Sequence, residues 1–241
     1  MPNAEQLMRD GKLDEALVAL GEHLRDNPSD VRNRTMLFEL LCFAGEYERA
    51  VKHLAIIGEG NTDIQMGALL YQGALHAESL RREMFEKETY PGPLGEAASA
   101  LAGTLNGKPF AEIADADPRI GPRLEVFGAG DYFWIPFAQI ESIEMQAPKR
   151  LRDLLWIPAR VTTSPQFRQR ELGEVLLPAL APLTFQHPDG AVRLGRLTEW
   201  CADEAGVERP YGQKMLLVDG EEIPILEVRR LEIQADAAAS A

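Results

Sequence analysis

The chain has 241 residues, 45% of them apolar and 26% charged, a balance that excludes intrinsic disorder and leaves room for two ordinary domains. Its net charge of −13 divides into −7 over residues 1–105 and −6 over 106–241, so no basic face gathers to hold nucleic acid or an anionic membrane. No run approaches the roughly 18 apolar residues of a membrane span; no basic–apolar leader opens the chain, and Cys42 and Cys201 stand far apart. These features lead to the expectation of a cytoplasmic protein with buried, unpaired thiols.

The N-terminal third carries an internal repeat at a spacing of 34 residues. Gly11-Lys-Leu-Asp-Glu-Ala16 recurs as Gly45-Glu-Tyr-Glu-Arg-Ala50, with Leu17 matching Val51 and Leu20 matching Leu54. The pattern resembles the tetratricopeptide repeat, in which glycine turns the chain and a small alanine lets two helices pack closely. Helices are predicted over 3–10, over 13–26 with Leu13, Leu17, Leu20 and Leu24 inward, from a Ser29 or Asp30 cap to Phe43, over 47–57, and over 63–88. A short, glycine-broken helix over 94–105 is expected to complete a third unit. Two and a half repeats bury little core alone, so the rest of the chain is expected to cover their end.

Composition shifts at Asn106-Gly107, a strong turn signal. Strands are predicted over 109–114, 123–128, 131–136, 139–145, 155–163, 173–180, 213–218 and 223–233, with turns at 128–131 and at Asp219-Gly220. A helical turn is expected over 149–155 and a short helix over 192–205. The predicted fold is α+β and multidomain: helical hairpins over 1–105, packed on a mostly antiparallel α+β domain over 106–241.

Chemistry is thinly marked. Asp115 and Asp117, with Glu125 nearby, are the candidates for a carboxylate-dependent enzyme. Pro118 directly follows, and Arg119 and Arg123 lie close, which favours a structural role for both aspartates. His23, His53, His76 and His187 show no metal-ligand spacing, and no nucleophile elbow or phosphate loop is present. No catalytic residue, metal or cofactor is assigned. The aromatic residues Tyr132, Phe133 and Trp134 are expected to pack in a core. The best candidate surface is the concave face of the repeats, which takes a peptide in proteins built this way. On that reading the groove positions are Arg32, Thr35, Glu39 and Phe43 in the second unit, and Met66, Leu69, Gly73 and His76 in the third; the equal alternative is that these residues pack on the C-terminal half.

The stretch Phe110-Ala-Glu-Ile-Ala-Asp-Ala-Asp-Pro-Arg-Ile-Gly-Pro-Arg-Leu-Glu125, continued by Tyr132-Phe-Trp-Ile-Pro-Phe137 and Leu151-Arg-Asp-Leu-Leu-Trp-Ile-Pro158, resembles the core of the bacterial ImpE/TagJ family. Trp200 and 216–228 resemble later family segments, whereas 178–190 departs from the family pattern. The resemblance implies a non-enzymatic accessory protein of type VI secretion. It implies binding to a helical segment of the small contractile-sheath subunit, with an influence on sheath assembly or turnover. The ATPase that disassembles the sheath is the second partner it suggests. It transfers no catalytic residues.

Overall fold

The computed structural model describes residues 3–60, 62–92, 99–165, 167, 172–202 and 206–234. Five helices come first: α1 (Ala4–Arg9), α2 (Leu13–Asp26), α3 (Val31–Phe43), α4 (Tyr47–Ile57) and α5 (Thr62–Glu86). Asp30, not Ser29, caps α3, its Oδ1 accepting from the Asn33 amide at 3.0 Å. The two repeated turns share one hydrogen-bond pattern. Gly11 and Gly45 take φ of 77° and 71°, and the next amides, of Lys12 and Glu46, donate back to the carbonyls of Leu7 and Leu41. This is the left-handed helix stop that glycine favours. Ala16 and Ala50 are fully buried.

Among the described residues twelve strands follow: β1 (Ser99–Leu105), β2 (Lys108–Asp115), β3 (Arg123–Gly128), β4 (Asp131–Pro136), β5 (Ile140–Met145), β6 (Trp156–Thr163), β7 (Gly173–Pro178), β8 (Thr198–Ala202), β9 (Glu208–Gly212), β10 (Met215–Val218), β11 (Glu221–Pro224) and β12 (Arg230–Ile233). Ten form one antiparallel sheet in the order β11-β10-β2-β1-β12-β5-β6-β7-β3-β4, while β8 and β9 make a separate hairpin. Three tight turns, Asn106-Gly107, Ala129-Gly130 and Asp219-Gly220, have positive φ at both central residues. That backbone matches the twist of the flanking strands.

Three sequence expectations need correction. The expected helix over 94–105 gives way to β1 from Ser99 onward, and 94–98 lie outside the described residues. Here strand pairing overrides the helical look of an alanine- and leucine-rich run. Gly103 belongs to the sheet, since a Cβ there would sit 2.2 Å from the Glu232 carbonyl oxygen and 2.5 Å from the Phe110 ring. The sheet therefore begins at Ser99, and Asn106-Gly107 is a turn within it. The helix expected over 192–205 is instead α6 (Gly190–Arg193) followed by strand β8. The strand expected over 223–233 is broken by a 3-10 turn, Ile225–Glu227.

Alternate residues along β3, β6 and β7 enter two apolar cores. Phe127, Trp156 and Leu176 join the helices, while Val126, Ile157 and Leu177 join the other face of the sheet. β4 lies at one edge of that sheet and packs against α5. The segment around α6 rests on the two repeated turns. Gly11 meets Ala191, Gly45 meets Phe185, and Arg193 Nη2 pairs with Asp14 Oδ2 at 2.5 Å. No described helix is long and apolar enough to cross a membrane.

Candidate partner-binding groove and the buried charge network

The stretch from Asp115 to Glu125 ends β2, turns at Pro118 and enters β3. Its charged side chains Asp115, Asp117, Arg119, Arg123 and Glu125 are all buried. Asp117 accepts from the Arg119 amide at 3.0 Å, and its Oδ2 accepts from Arg119 Nη2 at 2.6 Å. Asp115 Oδ1 accepts from the Asp117 amide at 2.9 Å, and Asp115 Oδ2 lies 2.5 Å from Lys214 Nζ. Glu125 is completely buried. It accepts from Arg81 Nε at 2.7 Å and Nη2 at 2.9 Å, from the Tyr132 hydroxyl at 2.6 Å, and from Lys214. Arg81 also donates to the Leu180 carbonyl and to Glu78, whose other oxygen accepts from Trp156 Nε1 at 3.1 Å.

One network thus joins α5 to β2, β3, β6 and the residue before β10. Its electrostatics divide the carboxylates. Burial alone would raise Glu125, but the Arg81 and Lys214 charges overcome it and hold the group at about 2. Burial raises Asp115 to about 7, with Lys214 opposing and the Glu125 and Asp117 charges reinforcing. Two carboxylates competing for one ammonium separate in this way.

An apolar groove of about 330 Å³ lies on the helical half. Phe38, Leu54, Ala68 and Tyr71 form its buried lining, Val31 and Ile64 its exposed apolar rim, and Arg150 and Arg152 stand at one side. Arg152 stacks over the Tyr71 ring at 4.9 Å and pairs with Glu39 at 3.4 Å. Val31 and Ile64 remain 56% and 39% exposed, an arrangement that favours an apolar guest.

The predicted groove positions divide between several places. Thr35 lines the groove. Phe43 is buried in the helical core and Glu39 is buried against Arg152, so neither reaches the surface. Arg32 is exposed and pairs with Glu5 at 2.8 Å. Met66, Leu69 and His76 are exposed, and Gly73 meets Gly130 on the β3–β4 turn. At 3.6 residues per turn, these four fall on the side of α5 opposite Ile64, Ala68 and Tyr71. The sequence reading followed the outward stripe of the helix, whereas Val31, Ile64 and Tyr71 line the apolar groove. An apolar residue in the first turn of each of α3 and α5 was the available signal.

The family model for the ImpE protein matches residues 107–232. A relative from Pseudomonas aeruginosa, described as the type VI secretion system accessory component TagJ, is 35% identical over 263 aligned positions covering 96% of this chain and 91% of its own. A crystal structure of a protein from Vibrio parahaemolyticus shares the fold, with a TM-score of 0.80 at 22% identity over 98% of this chain and 99% of that one. Matched by the family model over more than half its length and by this relative over nearly all of it, the chain belongs to the ImpE family.

Proposed function

We propose that the chain is a non-enzymatic accessory component of a bacterial type VI secretion machine. On this reading its helices are tetratricopeptide-like hairpins, and the groove between α3, α4 and α5 receives a helical segment of the small contractile-sheath subunit. The groove is the observation that carries this reading. Its lining is mostly apolar, with Val31 and Ile64 exposed at the rim and Asp63, Arg150 and Arg152 as its charged members, a mixture that suits an amphipathic helix. The relative's role in type VI secretion and its near full-length match support the same assignment. Asp115, Asp117 and Glu125 are each paired with a buried cation, which favours a structural over an enzymatic role for them.

A short helix that orders on binding pays its ordering entropy at that moment, so affinity is expected to be roughly micromolar. The direct test is co-expression of the affinity-tagged chain with the small sheath subunit of its own secretion system. The subunit should co-purify, and a subunit truncated of its helical segment should not. Failure of the intact subunit to co-purify removes the partner assignment.

A further inference from the structure

The β8–β9 hairpin and the loop before α6 bring together an imidazole, a carboxylate and a thiol. The ligand atoms of His187, Glu199 and Cys201 all lie within 4.8 Å of one another. Glu199 and Cys201 are two residues apart on β8 and so share one face, fixed by their pairing with Tyr211 and Arg209 of β9. His187 reaches that face from the 3-10 turn Thr184–Gln186. The turn is anchored by the Thr184 hydroxyl, which donates to the Ala181 carbonyl at 2.7 Å and accepts from the Gly212 amide at 2.9 Å. The His187 ring lies against Tyr211, with centroids 5.7 Å apart, and only 9% of its side chain is exposed. The Asp189 amide donates to Nδ1 at 3.2 Å, which leaves Nε2 aimed at Glu199 Oε2, 3.3 Å away.

We propose that these three side chains bind a divalent transition metal of the zinc class. Nitrogen, thiolate sulfur and carboxylate oxygen make a zinc donor set, and three protein ligands leave the fourth position to water. Magnesium and calcium call for oxygen alone. Glu199 is exposed and Cys201 partly so, which gives the ion a path from solvent. Around a tetrahedral ion the ligand atoms stand about 3.3–3.8 Å apart, so the trio closes slightly on binding. Binding releases the Cys201 thiol proton to solvent and moves the His187 Nε2 proton to Nδ1. The neutral ring then carries its proton on Nδ1, and the contact with the Asp189 amide is given up. Metal affinity therefore falls as pH is lowered, and it stays below that of a closed four-ligand site.

The test uses the full chain without a polyhistidine tag, stripped by a chelator. It is titrated with zinc against a chromophoric chelator, and separately with cobalt(II). The expected result is one equivalent of zinc and, with cobalt, a thiolate-to-metal charge-transfer band with the visible bands of a four-coordinate ion. Cys201→Ser removes the charge-transfer band. Cys201→Ser, His187→Gln and Glu199→Gln each weaken zinc roughly tenfold or more. Glu199→Gln alters an exposed side chain and keeps the test valid if another variant folds poorly. Absence of stoichiometric zinc, or an affinity that all three substitutions leave unchanged, overturns the site.

Discussion

Glu125 is fully buried, and Arg81, Lys214 and the Tyr132 hydroxyl all converge on it. Glu125→Ala would leave Arg81 with only Glu78, and Lys214 with only Asp115, as counter-charge in the core. Its expected cost is about 3–5 kcal/mol of unfolding free energy, measured by urea denaturation; a loss under about 1 kcal/mol would show that water relieves the cluster. The same network sets a pH dependence. Asp115 is raised from its ordinary 3.8 to about 7, so between these values the folded chain holds a proton that the unfolded chain has released. Stability from this group therefore falls as pH rises toward 7. Glu125, lowered from 4.5 to about 2, works in the opposite sense: its contribution is present above 4.5 and is lost as pH falls toward 2. Between about pH 5 and 7 Asp115 gives stability a falling contribution with pH, while His53, held below its ordinary 6.5 by burial, gives a rising one; Asp115→Asn should remove the falling part. An unchanged slope in that variant would place the titration elsewhere. The Asp117–Arg119 pair was legible in the sequence because both partners sit within one turn beside Pro118. The partners of Glu125 were not, since Arg81 and Lys214 lie 44 and 89 residues away and no local pattern links them.

The helices were legible because their apolar stripes and glycine stops are local signals, and the paired turns at Gly11 and Gly45 show why the spacing of 34 repeats. β1 was not legible, because its strand character comes from β2 and β12 on either side. The β8–β9 hairpin was hidden for a similar reason: half-exposed strands with mixed residues alternate too weakly to read. Two substitutions test the helical packing. Ala50 is fully buried at the start of α4, and Ala50→Leu should overpack that crossing at a cost of about 1–3 kcal/mol. Unchanged thermal stability would mean that the crossing has room. Gly45→Ala forces a left-handed backbone on alanine and puts its Cβ 2.5 Å from the Phe185 ring. It should lower stability by at least about 1–2 kcal/mol, read from the denaturant midpoint; a neutral result would show that the 184–186 turn shifts freely away from the helices.

At the scale of the whole molecule, the helices and the sheet share one core. Phe127, Trp156, Leu176 and Leu180 are packed with α1–α5, and Arg81 and Glu78 tie α5 to Glu125 and Trp156. Unfolding should therefore trace a single transition, with far-ultraviolet circular dichroism and tryptophan fluorescence coinciding; separated midpoints would mean that the halves melt independently. The groove lies between α3, α4 and α5 on this shared framework. Groove binding is tested most directly by calorimetric titration of a helical peptide from the small sheath subunit into the wild type and three variants. Val31→Asp and Ile64→Asp place carboxylates on the groove rim, each in the first turn of a helix where an acidic residue is well tolerated. Leu69→Asp places one on the opposite side of α5. Roughly micromolar binding is expected of the wild type and Leu69→Asp, and binding weakened about tenfold or more in Val31→Asp and Ile64→Asp. No binding by the wild type, or loss of binding in Leu69→Asp while the two rim variants bind normally, would contradict groove binding.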